Sequence, residues 1–115
     1  MQVDIDDVTF NPTIIQTQRN LTSVSLGGIT FSSYQILFFG FPDDLSVRVF
    51  DIEDGEIQVD YVENSVLYLG TNGNFTISVH DQVNDHIEGT FNFIGTDLST
   101  QPTKIFTNGS FNIDY

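Results

Sequence analysis

Gly73-Asn74-Phe75-Thr76-Ile77 begins a pattern that the chain repeats as Gly89-Thr90-Phe91-Asn92-Phe93 and as Gly109-Ser110-Phe111-Asn112-Ile113. In each copy a glycine precedes alternating polar and apolar residues, with phenylalanine at the centre. Alternation with a period of two is typical of a β-strand that buries one face and exposes the other. We interpret each glycine as part of a tight turn ahead of its strand. The pattern therefore predicts short antiparallel strands joined by hairpins.

Strand patterns recur along the rest of the chain at intervals of about 10 to 15 residues, the spacing of a sandwich or barrel. The predicted strands before the repeated pattern cover residues 3–10, 14–19, 21–26, 34–41, 45–50, 57–62 and 66–70. The chain has 115 residues, 11 of them Phe, which is enough for one packed core. The sequence thus predicts a single all-β domain over residues 1–115, an antiparallel β-sandwich or flattened β-barrel of about eight strands connected as a meander of hairpins.

Several local features of this prediction are specific enough to be checked. Residues 71–73 and Asn108-Gly109 are predicted hairpin turns, because Asn-Gly favours the turn type that joins two strands. Gly27-Gly28 indicates a hairpin or a bulge. Residues 34–41 form the most apolar segment, which we expect to be a central strand buried on both faces. Residues 95–102 are predicted to be the longest loop.

The charge balance restricts the classes of partner. The chain carries 16 acidic and 3 basic residues, a formal net charge of −13. Such a surface repels phosphate groups, so we expect neither nucleic-acid binding nor attachment to anionic lipid. It would attract a divalent cation or a basic partner, although an acidic surface also serves solubility alone.

The densest acidic segment is the candidate metal site. Asp51, Glu53 and Asp54 lie close together in the chain, with Asp43 and Asp44 a few residues before them. Calcium takes six to eight oxygen ligands, commonly from a glycine-containing loop and a second segment. These five residues are therefore the candidate calcium ligands, and calcium is the one cofactor that the sequence suggests. The segment lacks the residue order of an EF-hand loop, and a solvated acidic surface is the alternative interpretation.

Catalytic residues are not evident, and we expect a protein that is not an enzyme. The chain has no Cys, which excludes a thiol nucleophile and disulfides. His80 and His86 each have an acidic neighbour, as a general base or a metal ligand requires. Neighbouring residues on a strand point to opposite faces, however, so we interpret both histidines as strand-end and turn residues.

The last third of the chain resembles one family. His80-Asp81, residues 87–93 and the closing Thr107-Asn108-Gly109-Ser110-Phe111-Asn112-Ile113-Asp114-Tyr115 are similar to the end of DUF6252-type domains. Those proteins are small secreted lipoproteins of Bacteroidota without an assigned function. The resemblance covers residues 80–115 and implies an exported all-β domain in the periplasm or at the cell surface. It also implies that a leader and a lipid-bearing cysteine have been removed, so that the membrane would be reached only through that anchor.

Three functions remain open at this stage. The first is a non-enzymatic exported accessory domain that binds a partner protein or a glycan at the cell surface, through loops or an edge strand. The second is a lipocalin-like carrier that holds a small apolar molecule in a Phe-lined interior. The third is a calcium-dependent surface domain that uses the five acidic residues named above.

Overall fold

Ten antiparallel strands form one curled sheet in the computed structural model, which describes residues 1–97 and 102–115. The strands are β1 (Gln2–Ile5), β2 (Val8–Phe10), β3 (Ile14–Arg19), β4 (Ser23–Thr30), β5 (Gln35–Pro42), β6 (Val49–Asp51), β7 (Gln58–Glu63), β8 (Val66–Asp81), β9 (His86–Asp97) and β10 (Lys104–Asp114). Two short 3₁₀ turns, Phe31–Ser33 and Ile52–Asp54, connect strands. The all-β prediction is confirmed, with ten strands where about eight were expected.

The strand order makes the sheet an open half-barrel. Neighbours run β2-β1-β10-β9-β8-β7-β5-β4-β3, and β6 pairs with β8 outside this path. The long strand β8 has two partners in addition to β9, because residues 66–69 pair with β7 and residues 74–76 pair with β6. Register shifts at residues 70–72 and 77–79 interrupt its ladder with β9. Such bulges bend a strand and increase its twist, which curls the sheet around its apolar side.

Aromatic rings fill the space that the curled sheet encloses. Phe39 of β5 lies with its ring centroid 4.7 Å from that of Phe91 on β9 and 5.2 Å from that of Phe75 on β8. Phe93 stacks on Phe106 at 4.0 Å. These rings are almost fully buried, and aromatic pairs in such edge and offset arrangements add to the free energy of area burial. The core therefore joins strands that do not neighbour each other in the sheet.

The three repeated segments lie on adjacent strands, but their glycines are not turn residues. In the β9–β10 ladder Gly109 faces Phe91 and Phe111 faces Gly89. A Cβ atom added to Gly109 would lie 2.4 Å from the Phe91 ring, and one added to Gly89 would lie 2.0 Å from the Thr76 carbonyl oxygen and 2.6 Å from the Phe111 ring. Each glycine thus makes room for the phenylalanine of the neighbouring strand. The turn interpretation of these glycines was wrong, because a glycine is equally suited to close packing inside a strand.

The prediction of two Asn-Gly hairpin turns was also wrong. Residues 71–73 lie inside β8, where the register shift begins, and Gly73 has a φ of +143°. Asn108, with a φ of +55°, lies inside β10 between register positions 106 and 109. Left-handed backbone suits a bulge as well as a turn. Both predicted hairpin turns are therefore bulges within long strands.

Other local predictions need smaller corrections. Residues 3–10 are a hairpin and not one strand, because Asp6 and Asp7 both have positive φ and make a two-residue turn. Gly27-Gly28 lies within β4, and residues 45–50 shorten to β6. In β5 Leu37, Phe39 and Phe41 are buried while Ile36 is 40 % exposed, so this strand buries one face. It is third from the end of the sheet and not central. Residues 95–97 belong to β9, and residues 98–101 of the predicted loop lie outside the described residues.

Ion pairs connect strands that lie far apart in the strand order of the sheet. At one end Arg19 of β3 lies 2.5 Å from Asp85 in the β8–β9 turn and 3.7 Å from Asp43. At the other end Lys104 of β10 lies 2.9 Å from Glu63 of β7. The hydrogen bond to Glu63, more than any other contact, raises the pKa of Lys104. Two of the three basic residues thus hold together strands that are distant in the sheet.

Candidate binding face

The acidic residues are distributed unevenly along the chain. Residues 8–42 contain no Asp or Glu, and Arg19 is their one basic residue. This segment forms β2 to β5, of which β3, β4 and β5 lie side by side at one end of the sheet. The outer face of this sector, the face turned away from the core, is therefore nearly neutral in a molecule of net charge −13.

Two depressions lie on this outer face, one on either side of Phe38. The first measures about 400 Å³ and lies over Gly27 between β3 and β5. The second measures about 430 Å³ and extends from β4 over Gly40 towards β7. Phe38 lines both, and its half-buried ring lies over Gly40, where an added Cβ atom would be 3.4 Å away. We call these two depressions together the Phe38 trough.

The register of the strands explains why the trough exists. Across the sheet Phe38 faces Gly27 on β4 and Asp60 on β7, while Gly40 faces Ser25 and Gln58. Two glycines and a serine on adjacent strands leave little side-chain volume around the ring. The trough is therefore a direct consequence of small outward-facing residues placed in register.

Uncharged polar side chains border most of the trough, and Glu56 also lines the second depression. Gln16 and Gln18 of β3 and Ser25 of β4 line the first depression, and Gln58 lines the second. The Gln58 amide donates to Asp60 at 2.8 Å, whereas the amides of Gln16 and Gln18 make no hydrogen bond to another side chain among the described residues. An amide group both donates and accepts. The trough thus presents an aromatic ring with amide groups on two sides.

A row of aliphatic side chains continues this face at one end. Ile29, Ile36, Val62 and Leu67 face one another in sequence across β4, β5, β7 and β8. Ile36 and Leu67 are 40 % and 45 % exposed. Phe31, which is 64 % exposed in the first 3₁₀ turn, lies beside this row and outside the Phe38 trough. The face therefore has an apolar end and an amide-lined middle.

Both histidines have structural partners. The Nδ1 atom of His80 lies 2.7 Å from the carbonyl oxygen of Leu45, and its Nε2 atom lies 2.7 Å from the Tyr115 hydroxyl. A carbonyl only accepts, so Nδ1 donates, and in the neutral ring Nε2 accepts from Tyr115. His86 Nδ1 lies 2.5 Å from Asp114, and this hydrogen bond raises the pKa of His86. These contacts tie strand ends together.

The five predicted calcium ligands differ in their contacts and in their exposure. Asp43 pairs with Arg19, and the Asp51 carboxylate accepts a hydrogen bond from the Glu53 backbone N–H at 3.1 Å, which caps the second 3₁₀ turn. Asp44, Glu53 and Asp54 are exposed. Within residues 1–97 and 102–115, no group of three or more His, Asp or Glu side chains is arranged to hold a metal ion. The calcium site remains a prediction without geometric support from the described residues.

Sequence reasoning did not identify the trough, although two signals were present. The first was the absence of acidic residues over positions 8–42. The second was the spacing of Gln16 and Gln18, of Ser25 and Gly27, and of Phe38 and Gly40, since residues two apart share one face of a strand. What the sequence could not show was that these three pairs lie in register on neighbouring strands.

Comparison with known proteins adds no assignment. No family model, curated protein or solved structure matches the chain. In the described part of the chain, no helix has the length and apolar character needed to cross a membrane. The resemblance to DUF6252-type domains therefore remains a prediction.

Proposed function

We propose that this chain is a non-enzymatic binding domain that holds a neutral glycan in the Phe38 trough. The single observation that carries the proposal is the half-buried Phe38 ring, which glutamine amides border and which lies on the acid-free strands β3 to β5 beside Asp60 and Glu56. A sugar ring has an apolar face of C–H groups and an edge of hydroxyls. The phenylalanine ring suits the former, and groups that both donate and accept suit the latter.

Charge supports a neutral ligand over the other classes. An anionic ligand would have to approach a molecule of net charge −13. A basic partner would be drawn to the acidic surfaces and not to the sector that lacks them. A shallow, open trough without a buried charged residue also suits a chain of uncharged sugars better than a small ion. A partner protein on the same face is the second candidate, because the aliphatic row beside the trough would suit it.

The test is binding of uncharged oligosaccharides by calorimetry, with hexasaccharides of glucose, xylose and mannose as probes and polygalacturonate as the anionic comparison. We expect one of the neutral probes to bind, and Phe38→Ala to weaken its binding at least tenfold, which is about 1.4 kcal/mol. Loss of stacking on an aromatic ring accounts for that magnitude.

Phe31→Ala is the matched control, since it removes an exposed phenylalanine outside the trough. Its binding should equal that of the unmodified chain. Equal affinities of the Phe38→Ala and Phe31→Ala variants, or binding of polygalacturonate alone, would contradict the proposal. Melting temperatures of both variants show whether they remain folded.

The other two functions are weaker. Aromatic rings from β5, β8 and β9 occupy the interior of the described fold, so the packing gives the lipocalin-like carrier no support. The calcium-dependent function has its own test, which is the melting temperature in EDTA, in millimolar calcium and in equal magnesium. A rise specific to calcium would support a site that includes Asp43, Asp44, Asp51, Glu53 and Asp54, and an equal response to both ions would exclude it. An exported location, in the periplasm or at the cell surface, is part of our proposal through the family resemblance alone.

A further inference from the structure

The strand β3 ends the sheet opposite to β2. It pairs with β4 along all of its six residues without a register shift, from Ile14 facing Ile29 to Arg19 facing Val24. All six residues are exposed. In an antiparallel strand every second residue turns its backbone N–H and C=O away from its paired neighbour. Among the described residues no strand accepts these groups on the other side of β3.

The other sheet edges are protected, whereas β3 is not. The strands β2 and β6 have three residues each, and β2 lies between the Asp6-Asp7 turn and Asn11-Pro12. Short length, charge and proline are the features by which sheets avoid unwanted pairing. The strand β3 is twice as long and contains no proline or lysine. Its one charge, Arg19, is at the last residue and is paired with Asp85.

The charge distribution indicates which partner can reach this edge. Two copies of the chain, each of net charge −13, repel each other wherever their acidic surfaces meet. The β3 edge belongs to the acid-free residues 8–42, and the carboxylates of Asp43 and Asp85 beside its last residue are paired with Arg19. Two copies that meet there therefore bring less negative charge together than at their acidic surfaces. We propose that β3 pairs antiparallel with β3 of a second copy, which joins the two sheets into one.

Symmetry restricts the register of this pairing. A two-fold axis perpendicular to the sheet brings residues of the same face opposite each other, so it passes through a residue and not between two. Pairing along most of β3 places the axis at Gln16 or Thr17. The first register places Ile14 opposite Gln18, and the second places Gln16 opposite Gln18. Both registers keep the two Arg19 side chains apart and bring mostly uncharged residues together, with Arg19 opposite Ile15 in the second register.

The first test is sedimentation of the whole chain over concentrations up to roughly 1 mM, which detects weak dimers. We expect a monomer–dimer equilibrium that the double variant Gln16→Lys/Thr17→Lys weakens at least tenfold, because lysines then face lysines at the axis. This variant lowers the net negative charge, so general repulsion cannot explain the loss. Val8→Lys/Thr9→Lys makes the same charge change on β2 and should leave the equilibrium unaltered.

The second test uses the absence of cysteine from the chain. Gln16→Cys and Thr17→Cys each place a thiol at one of the two possible axes, where the Cβ atoms of opposite residues are about 4.5–5.5 Å apart. We expect one of them to form a disulfide-linked dimer on mild oxidation, and Thr9→Cys on β2 to remain monomeric. A chain that stays monomeric at every concentration, or a dimer that the β2 variants disrupt and the β3 variants do not, would overturn the proposal.

Discussion

At the scale of single residues, the molecule depends on glycines that lie opposite phenylalanines. Gly109 faces Phe91 and Gly89 faces Phe111, so each ring occupies the space where its neighbour has no side chain. The rings of Phe75 and Phe111 then stack at 5.0 Å, across the intervening strand β9. The close contact of glycine and ring brings three strands into one aromatic cluster.

A methyl group at Gly109 should therefore be poorly tolerated. Gly109→Ala places a Cβ atom 2.4 Å from the Phe91 ring, and we expect it to lower the free energy of unfolding by about 1–3 kcal/mol through overpacking. Gly27→Ala is the matched control, since its Cβ atom would meet neighbours at 3.8 Å and 3.9 Å. We expect it to raise the free energy of unfolding by about 0.4–1 kcal/mol, because alanine restricts the unfolded chain and Gly27 has no positive φ. Urea denaturation measures both, and equal losses would contradict the packing role of Gly109.

A second single-residue feature is the hydroxyl of Tyr61, whose ring is fully buried. Burial, above all, raises the pKa of Tyr61 to about 12, while the Gln35 amide donates to its oxygen at 2.7 Å. The unfolded chain releases this proton near the ordinary value of 10, so the folded state loses stability as the pH rises from about 10 to about 12. The hydroxyl that titrates belongs to the core side of the sheet, since Tyr61 pairs with the buried Leu37 and not with Phe38.

At the scale of elements, the strand ends carry interactions of their own. His86 begins β9 and faces Asp114 near the end of β10. The hydrogen bond from His86 to Asp114 raises the pKa of the imidazole. The charged ring is thus favoured in the folded state. The resulting stability is fully present below the unfolded pKa of about 6.5 and is lost as the pH rises through the folded value.

Replacing the carboxylate should reverse this shift. We expect Asp114→Asn to lower the pKa of His86, because the neutral amide no longer favours the imidazolium. Proton NMR titration of the histidine resonances measures the pKa, and a His86→Gln variant assigns the signals. Glu88, which lies 3.8 Å from His86 Nε2, serves as the comparison, and Glu88→Gln should have the smaller effect. An unchanged pKa in Asp114→Asn would exclude this contact as the cause.

Elements also show how far the sequence alone predicts the structure. Period-two alternation is a local signal, and it correctly predicted an all-β fold with β3, β7 and the three repeated segments as strands. The glycines at 73, 89 and 109 were misread, because the same residue serves a turn, a bulge and a close contact between strands. Which of these applies depends on the neighbouring strand, and a local sequence pattern does not determine which strands become neighbours. The Phe38 trough was missed for the same reason, since its floor comes from β4 and β5 in register.

At the scale of the whole molecule, charge is separated between two regions. The acid-free sector of β3 to β5 adjoins a remainder that carries all 16 acidic residues with Lys104 and Arg48 as its two bases. Arg48 pairs with Glu56 and lies 3.8 Å from the centroid of the Phe50 ring, so it too is engaged. Self-repulsion of the remaining carboxylates destabilises the compact fold.

Added salt should therefore stabilise the protein. We expect the melting temperature at neutral pH to rise between low and high sodium chloride, because screening weakens the repulsion more than it weakens a few exposed ion pairs. Near the isoelectric point of about 4.1 the net charge disappears, and the rise should disappear with it. Calorimetric scans at the two pH values provide the comparison. A fall in melting temperature with salt at neutral pH would mean that the ion pairs outweigh the repulsion.

The most direct test of the binding face is a map of where a neutral glycan contacts the molecule. Amide proton–nitrogen NMR spectra recorded during titration with the neutral oligosaccharides measure this for the whole chain at once. We predict that the shifted amides cluster on β3, β4, β5 and the start of β7, around Phe38, Gly40 and Gln58. Shifts confined to the acidic loops or to the β8–β10 surface, or no shift with any neutral probe, would contradict the account.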